Sequence, residues 1–130
     1  MNLYPIVTTL EPIDCRDFYV KALDARVLFD RPWFVHLAVD KWELGFLRPD
    51  PPIPLPMFQH ATPTRGLCLA IEVEDAGKFY EKLKQRGIET LGKPQQSSTG
   101  EVTFSVMDPA GVIINVVEIK PDTSVDIVQL

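Results

Sequence analysis

The chain repeats itself. "DFYVKAL" (Asp17 to Leu23) and "KFYEKLK" (Lys78 to Lys84) place Phe, Tyr and Lys at a common offset of 61 residues, and Asp14 and Asp75 share that offset. A motif that recurs at a fixed spacing restricts the fold to two copies of one supersecondary unit. The flanking segments agree. "YPIVTTL" (Tyr4 to Leu10) is rich in β-branched residues and reads as a strand, and Pro12 suits the first turn of a helix, where its missing N–H goes unused. Cys15, Phe18, Tyr19, Ala22 and Leu23 then recur at helical spacing. "ARVLFD", "WFVHLAV" and "WELGFL" follow as strands, the last two joined at Asp40-Lys41 as a tight hairpin. In the second copy, "LCLAIEVED" ends at Asp75, a good N-cap, and Ala76, Phe79, Tyr80 and Leu83 form the helical stripe. Gly87 is a left-handed cap candidate, "GIETL" reads as a strand, "QQSSTG" as a polar loop, and "EVTFSVM" with "VIINVVEI" as a hairpin around "DPAG". The order is β-α-β-β-β, twice.

Between the copies lies "RPDPPIPLPMFQHATPTRG" (Arg48 to Gly66), which holds six of the twelve prolines. Proline neither continues a helix nor donates to a ladder, so this stretch reads as an extended linker. A chain of 130 residues bounds the whole at a single domain: module 1 over about 3–48, linker 49–66, module 2 over about 67–120, and a tail over 121–130. The net charge of −5, with no basic patch, excludes nucleic acid as a main partner. No apolar run is long enough to span a bilayer, and no signal core opens the sequence, so neither membrane insertion nor export is expected. Cys15 and Cys68 form no CxxC and read as reduced thiols of a cytoplasmic protein.

Three segments, "DFYVKAL", "AIEVEDAGKFYEKLKQRGI" and "FSVMDPAGVIINVVEI", resemble the vicinal oxygen chelate superfamily. It holds glyoxalase I, extradiol dioxygenases, fosfomycin-resistance enzymes and bleomycin-resistance proteins. The resemblance runs from about Leu3 to Ile119 and is most specific in the "DPAG" hairpin. It implies an α+β fold of two tandem βαβββ modules whose curved sheets enclose a cleft, with helices on the outer faces, and it implies a homodimer. It also implies where a metal would sit, with one ligand from the first and one from the last strand of each module. Carried onto this chain, those positions fall on Tyr4, Phe46, Cys68 and Glu118. Tyr and Phe do not ligate a divalent ion of this kind, and one thiolate with one carboxylate makes no site. No cofactor is therefore expected, and a divalent metal only by another route, such as His60 with Glu118.

Hairpin register then assigns faces. With Asp40-Lys41 as a two-residue turn, Val39 opposes Trp42, Leu37 opposes Leu44 and Val35 opposes Phe46. Trp33, Trp42 and Phe46 are expected toward the cleft, and His36 toward the covering helix. Tyr4 and Thr8 join them from the first strand, and Cys68, Glu72 and Glu118 from the second module, with Arg48 and Arg65 at the rim. Glu118 is the one weak catalytic candidate, as a base whose acidity burial would lower. Three functions stand. One is a metal-free small-molecule-binding protein, of the bleomycin-resistance type, holding an aromatic or cationic ligand. Another is a glyoxalase-like lyase, isomerase or dioxygenase with atypical metal ligands. The third is an interaction domain whose cleft its own side chains fill.

Overall fold

A computed structural model of the chain describes residues 1–50, 67–97 and 100–119. The linker beyond Asp50, with His60 and Arg65, and the tail lie outside the described residues. The described elements run β1 (Ile6–Thr8), α1 (Pro12–Leu23), β2 (Arg26–Arg31), β3 (Phe34–Val39), β4 (Trp42–Leu47), β5 (Cys68–Val73), α2 (Ala76–Gln85), β6 (Gln95–Gln96), β7 (Val102–Met107) and β8 (Ile113–Glu118). They build two curved four-stranded sheets of the same topology, β1-β4-β3-β2 and β5-β8-β7-β6. In each, the first strand pairs parallel with the last and the others pair antiparallel. This is the expected α+β fold of tandem modules. No described helix is long and apolar enough to cross a membrane.

Contacts divide the chain into two compact units. One takes Met1–Leu67 with the turn Asp108–Val112, and the other takes Cys68–Met107 with Ile113–Leu130. In the first unit, Pro12 opens α1 as expected, and Asp24 ends it in the left-handed region at φ 55°. The helix buries Cys15, Tyr19 and Ala22. The Tyr19 ring lies 5.3 Å from that of Phe46, which fixes the sheet face that α1 covers. Val35, Leu37, Leu44 and Phe46 are all buried on that face. In the second unit, Tyr80 and Phe79 of α2 pack on Phe104, with centroids 5.4 and 6.4 Å apart. Phe104 opposes Val116 and Val106 opposes Ile114, so these four mark the helix-covered face.

One expected strand is missing. "GIETL" forms no ladder: Leu91 N–H donates to Ser105 O at 2.8 Å, but Gly92 at φ 115° and Pro94 turn the chain before a second bond forms. The pairing is made instead by Gln95 and Gln96, expected in a loop, which oppose Thr103 and Val102. Short polar pairing of this kind carries no apolar alternation, so period-two reading passes over it.

Candidate functional site

The β3–β4 register is the expected one: Val39 opposes Trp42, Leu37 opposes Leu44 and Val35 opposes Phe46. The face is not. Phe46 is fully buried against Tyr19 of α1, so Val35, Leu37, Leu44 and Phe46 turn toward the helix and His36 turns away from it, while Trp33, in the turn before β3, packs against Phe29 and Phe34 and Trp42 is exposed. Strand β3 carries bulky apolar groups on both sides, so alternation alone does not say which side the helix takes. Polarity decides it. His36 opposes Gly45, and Ala38 opposes Glu43, so the helix-free face holds the strands' ionisable groups. Covering them with an apolar helix would strip them of water without partners.

That helix-free face carries a chain of aromatic rings. Phe29 of β2 opposes His36, and Arg31 opposes Phe34. The Phe29 ring is 5.9 Å from Phe34 and 6.5 Å from Trp33, and Trp33 and Phe34 stack at 6.2 Å. Phe34 continues to His36 at 6.4 Å, and Tyr4 stacks on His36 at 4.3 Å with planes 19° apart. Gly45 makes room for the row. A Cβ there would stand 3.0 Å from Phe34 Cε1, so the ring would have to give by a few tenths of an ångström. Arg31 already places its guanidinium carbon 4.7 Å over the Phe29 ring, a cation–π contact.

Polar groups mark the other end of the row. His36 Nε2 lies 2.8 Å from Glu43 Oε1, at ion-pair distance, and is buried with no hydrogen-bond partner. Glu43 Oε2 accepts from Asn2 Nδ2 at 3.0 Å. Sequence reading passed over this pair. Its available signal was that Glu43 and His36 fall on one face of a hairpin, diagonal neighbours in the register that reading had assigned.

The remaining expected residues scatter. Thr8 is buried, Trp42 is 68% exposed beside Lys41, and Arg48 bonds Asp50 and Leu10 O. Cys68 and Glu72 are exposed on the helix-free face of the second sheet, where they oppose Ile113 and Val117. They do not share a face with Glu118, as the sequence had suggested. Glu118 follows Ile114 and Val116 onto the helix-covered side, and its Oε1 accepts from Ala76 N–H at 3.0 Å, at the first turn of α2. The expected metal positions therefore separate in pairs. Tyr4 and Phe46 lie on opposite faces of one sheet, and Cys68 and Glu118 on opposite faces of the other. On the helix-free faces, the residues opposed across the parallel pairings include Ile6 with Gly45 and Ala70 with Asn115. Of these only Asn115 has a donor atom, and it accepts from Ser105 Oγ at 3.2 Å. Among the described residues no group of three or more His, Cys, Asp or Glu could hold a metal ion. This donor set does not fit the metal of the resembled superfamily.

The fold agrees with comparisons to known proteins. A family model described as the glyoxalase/bleomycin resistance protein/dioxygenase superfamily matches residues 13–116. Among solved structures, a bleomycin-binding protein complexed with bleomycin is similar at 17% identity and TM-score 0.65, over 92% of this chain and 99% of that one. A lactoylglutathione lyase from Agrobacterium tumefaciens is similar at 15% identity and TM-score 0.71, over 91% and 92%. A glyoxalase/bleomycin resistance protein/dioxygenase from Nocardioides reaches TM-score 0.74 at 16% identity, over 94% and 85%. At such identities the likeness is one of fold. A search of curated protein sequences finds no match.

Proposed function

Because the chain belongs to the glyoxalase/bleomycin resistance protein/dioxygenase superfamily, we propose that it is a cytoplasmic, homodimeric small-molecule-binding protein that works without a metal. Its ligand is planar, aromatic or cationic, and lies on the helix-free face of the first sheet. The observation that carries this reading is the row Phe29, Trp33, Phe34, His36 and Tyr4, whose rings are linked at 4.3 to 6.5 Å on one face. Phe29 is 39% exposed, and Trp33 and Phe34 are half-buried, so the row offers ring surface to a ligand. Such a row binds by stacking and by cation–π attraction, as Arg31 over Phe29 illustrates within the chain. Glu43 adds negative charge at the row's end. The fold shared with a bleomycin-binding protein supports a binding role. Among the described residues, no group of three or more His, Cys, Asp or Glu favours a metal-dependent lyase.

Proflavine, a planar cation, is the probe. Fluorescence anisotropy should show saturable binding to the wild-type protein, weakened about tenfold in Trp33→Ala. Binding unchanged by that substitution would remove the ligand from this face.

A further inference from the structure

We propose that Tyr4 is an internal occupant of the aromatic row, a cover that a planar cationic ligand displaces in order to stack on His36. The inference rests on the binding reading above and names the subsite within it. Three observations carry it. The Tyr4 ring lies nearly parallel to His36, 19° apart at 4.3 Å, which is the pose a planar ligand would take there. Next, Tyr4 is held lightly. Strand β1 begins only at Ile6, and its ladder reaches back to Pro5, whose carbonyl accepts from Gly45 N–H at 2.9 Å. Pro5 has no N–H to extend the pairing. The segment before it is held through side chains: the Tyr4 stack and the exposed bond from Asn2 to Glu43. Its neighbour Leu3 is 91% exposed.

The third observation is what the cover hides. Lifting Tyr4 and Asn2 uncovers one face of the imidazole and one carboxylate oxygen of Glu43, while His36 Nε2 stays engaged with the other oxygen. An aromatic face beside a carboxylate selects a flat cation over a neutral or anionic ring. Tyr4 competes with such a ligand for the same surface. The measured affinity is then the intrinsic one reduced by the fraction of molecules with the cover lifted.

Proflavine titrations of wild type, Tyr4→Ala, Tyr4→Phe and Trp33→Ala test this. Removing the cover should tighten binding about three- to tenfold in Tyr4→Ala, the worth of one aromatic stack, with Tyr4→Phe close to wild type. In the wild type, the His36 ring-proton resonances should shift on titration, as the Tyr4 ring current is exchanged for that of the dye. Weaker or unchanged binding in Tyr4→Ala, with Trp33→Ala still impaired, overturns the cover and leaves the aromatic site standing. Binding by neither wild type nor Tyr4→Ala overturns both readings.

Discussion

Asp108 is 3% exposed, yet nearly every polar atom it has is used. Its Oδ1 accepts from the N–H groups of Ala110 and Val112, each at 2.8 Å, and its Oδ2 accepts from Tyr19 Oη at 2.7 Å. The turn "DPAG" winds around this carboxylate, with Gly111 at φ 87° closing it, and α1 reaches it through Tyr19. Burial pushes the acid above its ordinary value of 3.8, against the pull of its hydrogen bonds. Burial and the same carboxylate push the Tyr19 hydroxyl and the Cys15 thiol up, so both stay protonated. In Tyr19→Phe the carboxylate stays buried and loses a donor, which should cost about 1–3 kcal/mol in urea unfolding. The pH dependence has a definite sign. From 3.8 upward to its raised folded value, Asp108 holds its proton more firmly folded than unfolded. Its contribution to stability therefore falls as pH rises through that window. The stability of wild type relative to Asp108→Asn should decline over the same window, and a difference flat with pH would refute the assignment.

At the scale of elements, α2 shows how a helix start can be assembled from two distant places. Asp75 Oδ1 accepts from Lys78 N–H at 3.0 Å, and Glu118 Oε1 accepts from Ala76 N–H at 3.0 Å. Between them they satisfy two of the helix's free N–H groups, and both carboxylates sit at the positive end of its dipole. Glu118→Ala should cost about 1 kcal/mol in chemical denaturation, as a lost cap does, and Glu118→Gln less, because its amide oxygen still accepts. Asp75 was legible as a cap, because the cap is local. Glu118 was not. Its partner is 42 residues away, and the sequence shows only a carboxylate at the end of an apolar strand. The faces of β3 and β4 were hidden for a related reason. Their register followed from the turn, but the side taken by α1 depended on which face holds His36 and Glu43, where each has the other within 2.8 Å, and no single strand displays that.

For the molecule as a whole, family and chemistry come apart. The chain belongs to a superfamily that holds both enzymes and binding proteins, and fold alone does not choose between them. On the helix-free faces, the described residues paired across the parallel strands, Ile6 with Gly45 and Ala70 with Asn115, include one side chain with a polar donor or acceptor atom. Sedimentation equilibrium on the purified protein should give twice the mass of one chain, and calorimetry on the same sample should show no stoichiometric binding of Zn²⁺, Ni²⁺, Mn²⁺ or Fe²⁺. A tight one-to-one metal isotherm would restore the lyase reading. The sequence by itself determined the repeat, the element order, the hairpin register and the Asp75 and Pro12 helix starts, because propensity, periodicity and turn chemistry are local. Only the tertiary structure decided that Phe46 and Glu118 turn toward the helices, that Tyr4 meets His36, and that Asp108 meets Tyr19. Each of those depends on the free energy of burying a particular group against one remote neighbour rather than another, and a linear pattern does not carry that comparison.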